Sequence, residues 1–251
     1  MELNLKNKII VISGSSKGIG KSIAEILLHE GCKVVINGRN KLNLLKTKNE
    51  LSKISKNIIS IDGDVSKNAT INKIKKITIK KWGKIDGIVA NASSLENTKN
   101  KDSAFLIKYN FEIVYNFVNN LIPSMKKNDA SIVIIGSKAG LEDIGAPFYY
   151  TVFKSTLSSY VKSMSRKLSE KNIRINLVSP GNILFKNGNW EKKLNTNKSK
   201  INRMIKKNVP LKKFGKPQDV SIIVSVLLSN KTGFITGSNF VIDGGQTRSI
   251  G

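Results

Sequence analysis

Tyr150 and Lys154 stand four residues apart in the segment YTVFK, so a helix drawn through them puts both side chains on one face. A tyrosine ordinarily keeps its proton up to a pKa near ~10. An ammonium beside it favours the phenolate and lowers that value toward a range useful for acid–base catalysis. Such a pair can give a proton to a carbonyl being reduced or take one from an alcohol being oxidised. Standing alone, it reads better as an ordinary exposed Tyr–Lys pair. Tyr149 offers no alternative, because Phe153 and not a lysine lies four residues beyond it. A second constellation opens the chain. The segment SGSSKGIG (13–20) places Gly14, Gly18 and Gly20 between an apolar run and an amphipathic one. Gly14 permits a sharp exit from a strand, Gly18 lets backbone approach a pyrophosphate, and Gly20 lets helix and sheet pack closely. Ser16, Lys17 and Ile19 complete the loop, and the helix that follows turns free N–H groups and a positive dipole end toward phosphate.

Both constellations need a rigid frame. Seven short apolar runs ending in small or polar residues, at 8–14, 33–38, 58–65, 85–92, 131–137, 173–181 and 238–245, read as strands buried on both faces. Between them, helical patterns run over 19–30, 42–55, 69–82, 105–125, 149–171 and 219–228. In the third, Ile71, Ile74 and Ile77 share a face and lysines cover most of the rest, which is the pattern of a solvated helix. Strand–helix alternation without a linker or repeat predicts a single doubly wound α/β domain of Rossmann type over 1–251, with a seven-stranded parallel sheet flanked by helices.

The Gly-x-x-x-Gly-x-Gly spacing resembles that of the short-chain dehydrogenase/reductase family, and further motifs of that family follow in order. GDV at 63–65 is similar to the segment whose Asp and Val meet the adenine ring, here Asp64 and Val65. Asn91 and Ala92 begin a turn similar to the family's Asn-Ala-Gly, with Ser93 in place of the glycine. Asn110 stands where the family has a helix asparagine, and Ser137 precedes the Tyr-x-x-x-Lys pair by thirteen residues. Pro180 and Gly181 match the turn near the nicotinamide, and FITGSNFVIDGG (234–245) resembles the C-terminal signature. The resemblance implies an oxidoreductase in which Tyr150 is the general acid or base and Ser137 bonds the substrate oxygen where charge develops. It further implies that Lys154 binds the nicotinamide ribose, that Asn110 holds a water relaying protons to Lys154, and that the Ile183 main chain binds the carboxamide. A dimer or tetramer built on the helices at 105–125 and 149–171 is also implied.

Cofactor choice is legible at 36–40. The segment INGRN has no acidic residue for the adenosine ribose; Gly38 takes the place of the family's discriminating aspartate, and Arg39 follows. Arg39 and Lys17 suit a ribose 2′-phosphate, so NADP(H) is expected over NAD(H). Two departures bear on the substrate. Phe185 stands where many members have a threonine, and the segment 91–110 is shorter than in bacterial oxoacyl reductases.

Composition sets the remaining bounds. Forty-three Lys plus Arg against 17 Asp plus Glu give a net charge of +26 over 251 residues. That excess suggests nucleic acid, but it is spread along the chain, and the complete catalytic set argues for an enzyme over a non-catalytic basic binder. No apolar run reaches the ~18–20 residues of a membrane span, and no secretory signal is visible, so a cytoplasmic protein is expected. Cys32 and His29 read as structural, and Asp62, Asp64 and Asp86 lack metal-site spacing. Trp82 reads as packing. The sequence around Ser137 is not Gly-x-Ser-x-Gly, so a hydrolase nucleophile is not expected. The stretch 186–216 holds eleven basic residues and Glu191 alone among acids. It is expected to form a substrate lid, with Ile201, Met204 and Ile205 on its inner face. A basic lid points to an anionic carbonyl compound: a 3-oxoacyl thioester on coenzyme A or on acyl carrier protein, or a nucleotide-linked sugar. The competing readings are a dehydrogenase of a sugar or other polar alcohol, and a lid whose lysines are only solvated surface.

Overall fold

In the computed structural model, which describes residues 2–93 and 108–249, all seven apolar runs are strands of one parallel sheet. They are β1 (Ile9–Ile12), β2 (Lys33–Gly38), β3 (Ile58–Asp62), β4 (Gly87–Ala90), β5 (Ala130–Ile135), β6 (Ile173–Pro180) and β7 (Asn239–Ile242), in the order β3-β2-β1-β4-β5-β6-β7. Most strands stop before the runs do. The small and polar residues at 13–14, 63–65, 91–92 and 136–137 leave the ladder and become the loops over its carboxyl edge.

The helices are α1 (Gly18–His29), α2 (Lys41–Leu51), α3 (Asn68–Trp82), α4 (Ile113–Leu121), α5 (Phe148–Ser169), α6 (Asn189–Thr196), α7 (Lys198–Asn208) and α8 (Pro217–Leu228). The pattern expected as one helix over 105–125 is more broken than its periodicity suggests. Residues 105–107 lie outside the described residues; the rest begins as a π-helical turn, Lys108–Glu112, runs through α4 and tightens into a 3-10 turn at Ile122–Ser124. Pro123, with no N–H to give, accounts for the last change.

Side chains alternate across each strand and feed two cores. Val11, Val35, Ile88, Ile132 and Ile175 pack with Ile71 and Ile74 of α3, Phe117 of α4 and Leu157 of α5, and Trp82 closes against this layer. Ile10, Ile12, Val34, Val89 and Val178 pack on the other face with Ile23 and Leu27 of α1, Leu44 of α2 and Val224 of α8. Cys32 is fully buried there, its thiol donating to the Leu5 carbonyl at 3.3 Å, while His29 is exposed. Among the described residues no helix is long and apolar enough to cross a membrane.

Candidate active site

The strand order turns back on itself at β1, which pairs with β2 on one side and β4 on the other. Crossovers leaving in opposite directions part there, and a crevice opens beyond the carboxyl ends of the strands. A cavity of about 270 Å³ occupies that place. Its wall brings together Gly14, Ser16, Lys17, Ile19, Arg39, Asp64, Val65, Asn91 and Ala92, all expected from the sequence to hold a cofactor, with Ser93 and Phe185 at the side. Gly18 faces an adjoining cavity with Lys17, Arg39 and Phe185, and Gly20 lies behind the loop.

A set of polar side chains, all but Asn91 buried and unnoticed in the sequence, holds this wall. Ser13 Oγ accepts the N–H groups of Asn91 and Ala92, both at 3.0 Å, and Asn91 Nδ2 donates back to the carbonyls of Ser13 and Gly14 at 3.2 and 2.8 Å. Ser15 Oγ donates to the Ile12 carbonyl at 2.9 Å and accepts the Asn37 N–H at 2.8 Å. Asn37 Nδ2 reaches the carbonyls of Ile61 and Gly63 at 2.9 and 3.1 Å. Thr47 Oγ1 donates to the Ser16 carbonyl at 2.7 Å. The ends of four neighbouring strands are thereby tied to the glycine loop. The signal that could have found them is a hydrophilic residue closing each apolar run, which reads as a turn unless buried partners are sought.

Glycine is demanded at two of these points. Gly14 has φ +62°, and a Cβ there would lie 2.9 Å from the Ala92 Cα. At Gly20 a Cβ would lie 2.6 Å from both Asn91 Nδ2 and the Gly14 carbonyl. Helix α1 then starts at Gly18 with an extended Lys17 as N-cap, whose side chain makes no capping bond, so the first-turn N–H groups keep their capacity for an anion. Arg39 and Lys17 are both exposed on the cavity rim. Lys17 also reaches away from it, Nζ donating to the Asn187 carbonyl at 3.1 Å and linking the glycine loop to the 186–216 stretch. The Phe185 ring, at the position where many family members have a threonine, packs over Gly18, where a Cβ would meet it at 2.6 Å.

Ser137, Tyr150 and Lys154 are positioned by β5 and α5. Ser137 leaves the end of β5 and caps the 3-10 turn Lys138–Gly140, its Oγ accepting the Ala139 N–H at 3.2 Å. Gly140 lets that turn touch α5, since a Cβ there would lie 2.6 Å from the Lys154 carbonyl group. Tyr150 and Lys154 occupy the first turns of α5, 8% and 2% exposed, and Asn110 is fully buried in the π-helical turn that packs on the same helix. Lys154 Nζ donates to the Ile135 carbonyl at 3.3 Å and sits 5.7 Å from the centre of the Tyr150 ring. The electrostatics differ from the expectation that Lys154 lowers Tyr150. Burial raises the Tyr150 pKa above its ordinary value and outweighs the opposing hydrogen bond from Ser137. Burial also pulls Lys154 down to about 8, which weakens its hold on a phenolate.

Pro180 ends β6, and Gly181 donates its N–H to the Ile242 carbonyl at 2.9 Å. Ile183 bridges to Gly215 and lines a third cavity of about 210 Å³ with Val209, Leu211 and Phe214. In the basic stretch, α6 and α7 turn Ile205 inward, half-bury Ile201 and Met204, and expose Lys198, Lys200, Arg203, Lys206 and Lys207. The shortened segment after Asn91 falls largely outside the described residues.

Comparison with known proteins bears on the whole chain. A family model described as enoyl-(acyl carrier protein) reductase matches residues 14–247. A 3-oxoacyl-[acyl-carrier-protein] reductase, FabG, of Chlamydia muridarum is 30% identical over 96% of this chain and 98% of its own. An uncharacterised oxidoreductase of Thermotoga maritima is 27% identical over 98% and 99%. The crystal structure of L-sorbose reductase from Gluconobacter frateurii, complexed with NADPH and L-sorbose, superposes with a TM-score of 0.91 over 100% of both chains at 22% identity, a likeness of fold.

Proposed function

The chain belongs to the short-chain dehydrogenase/reductase family of oxidoreductases, and from that premise we propose that it reduces a carbonyl compound to an alcohol with NADPH. The observation that carries this reading is the cluster of half-buried Ser137 with buried Tyr150 and Lys154 at the carboxyl end of β5, next to β4, whose own end lines the glycine-cradled crevice. A dinucleotide fits the residues present: a Cβ would fill the cradle at Gly14 and Gly20, and the uncapped start of α1 faces the cavity. When bound, NADPH supplies the hydride.

The chain's own residues supply the rest. The α1 N–H groups and the loop at Ser16 and Ile19 hold the pyrophosphate, with Gly18 allowing close approach. Asp64, Val65, Asn91 and Ala92 line the adenosine half, and Arg39 with Lys17 pairs the 2′-phosphate. Pro180, Gly181 and the Ile183 main chain border the nicotinamide half. Tyr150, kept protonated by burial, is ready to give its proton to the developing alkoxide, and Ser137 donates a hydrogen bond to that same oxygen. Lys154 binds the ribose and, through a water held by Asn110, restores the proton to Tyr150.

The substrate in this reading is a 3-oxoacyl thioester or another anionic carbonyl compound, admitted under the basic lid at 186–216. Acyl carrier protein is the candidate carrier. The naming of the Chlamydia relative and the outward lysines of α7 support this choice. Exposed Tyr115, Phe148 and Tyr149 on α4 and α5 support a homodimer or homotetramer packed through those helices. The test is NADPH oxidation against a carbonyl panel that includes oxoacyl thioesters. Tyr150→Phe is expected to lower turnover at least about 100-fold while still binding NADPH; unchanged turnover would remove the proposed acid.

A further inference from the structure

Lys138 follows Ser137 directly, and nothing in the proposed reaction uses it. Its side chain is 2% exposed, and its ammonium is buried with no hydrogen-bond partner. Lysine is rarely found so deep unless paired. Two carboxylates lie close enough to attract it, Glu142 and Asp243, but both are engaged elsewhere. Asp243 Oδ1 accepts the Gly245 N–H at 2.9 Å and Oδ2 the Thr247 N–H at 2.6 Å, while Glu142 Oε2 accepts the Arg248 N–H at 3.0 Å. An ammonium held in protein without an acceptor is costly, and the fold keeps it beside the reacting serine.

We propose that Lys138 is the anion-binding residue of the substrate site, pairing with a carboxylate carried on the carbonyl substrate itself. Three observations place it there. Ser137 is its neighbour in the chain, and the turn that carries it rests on the backbone of Lys154. Asp243, one of its two charged neighbours, lies against Gly181, where a Cβ would meet Asp243 Cβ at 2.6 Å, and it lines the cavity shared with Ile183 and Leu211. Lys138 therefore lies with Ser137 at the carboxyl end of β5, and β4 and β1 separate it from the Arg39 tip of β2. A single ammonium matches one negative charge, which favours a carboxylate over a doubly charged phosphate. Desolvation makes such a pair stronger than the same pair at the surface. Burial lowers the Lys138 pKa, opposed by Glu142 and then Asp243, so the cation gains from an added anion. The Arg248 N–H bond to Glu142 ties the tail 243–248 to the segment that follows this turn.

The inference rests on the reductase reading, and the experiment separates the two. The full chain with NADPH is assayed on 2-oxobutanoate, 3-oxobutanoate and 4-oxopentanoate, each beside its methyl ester. Wild type is expected to prefer at least one acid over its ester by about tenfold in kcat/KM. In Lys138→Met that acid-to-ester ratio falls about tenfold, and Lys138→Gln carries the same comparison should the methionine variant not fold. A wild-type ratio near one, or a ratio that both variants leave unchanged, overturns the role of Lys138 while ester turnover upholds the reductase. Absence of turnover on every acid and ester overturns both.

Discussion

Replacing Lys154 by methionine should make the protein more stable at neutral pH and less so, relative to wild type, as pH rises. The lysine is 2% exposed, and burial moves its pKa from 10.5 down to about 8. That displacement corresponds to about 3 kcal/mol at ~1.4 kcal/mol per pKa unit. The unfolded chain holds the proton more tightly than the folded one, so this group penalises folding wherever the folded chain must carry the charge. The penalty is fully present below pH 8 and is lifted as pH climbs from about 8 to 10.5, so stability rises with pH through that window. Methionine keeps the stem's volume and removes the charge. Urea unfolding followed by circular dichroism, at pH 7 and pH 10 for both proteins, reads the difference directly. The variant is expected to gain about 3 kcal/mol at pH 7 and less than about 1 kcal/mol at pH 10, while losing turnover. A variant less stable than wild type at pH 7, or a gain that does not shrink by pH 10, refutes the argument that burial of this ammonium dominates its energetics.

Three further outcomes follow from other parts of the site. Arg39→Glu should lower kcat/KM for NADPH by about 10- to 100-fold with little loss for NADH, the range of one charge-assisted hydrogen bond at ~1.5–3 kcal/mol; equal losses for both cofactors would count against a 2′-phosphate contact. Asn37→Ala strips the donors from the Ile61 and Gly63 carbonyls and should cost about 1–3 kcal/mol in chemical denaturation, with weaker cofactor binding. The Cys32 thiol, pushed up to about 12 by burial, should resist an aromatic disulfide reagent at pH 8 in the native protein and react as one thiol in urea.

The sheet was legible because strands buried on both faces leave continuous apolar runs, and each of the seven runs lies on a strand. The apolar face of α7 was legible too, from the three- and four-residue spacing of Ile201, Met204 and Ile205. What periodicity conceals is any contact between distant segments. Ser13, Ser15 and Asn37 look like turn residues until their partners arrive from other strands. Lys138 looks like surface until the chain closes over it. The position of the Phe185 ring over Gly18 could not be read from a motif, because it joins residues 167 positions apart. The direction of the Tyr150 shift was misjudged for a related reason. Spacing along a helix reports which charges are near, whereas the degree of burial is settled by the whole fold.

The polar ties at the strand ends divide the crevice into two kinds of part. Ser13, Ser15, Asn37 and Asn91 belong to the skeleton: each is bonded across strands, and none can change without disturbing its neighbours. Arg39 belongs to an exposed tip that leaves β2 after the last of those ties, with Asn40 beside it capping α2. On the proposed reading, a mutation at Arg39 redirects which nucleotide is welcomed without renegotiating how the backbone is held. Such a socket is evolvable, because the grip and the choice of what is gripped rest on different residues.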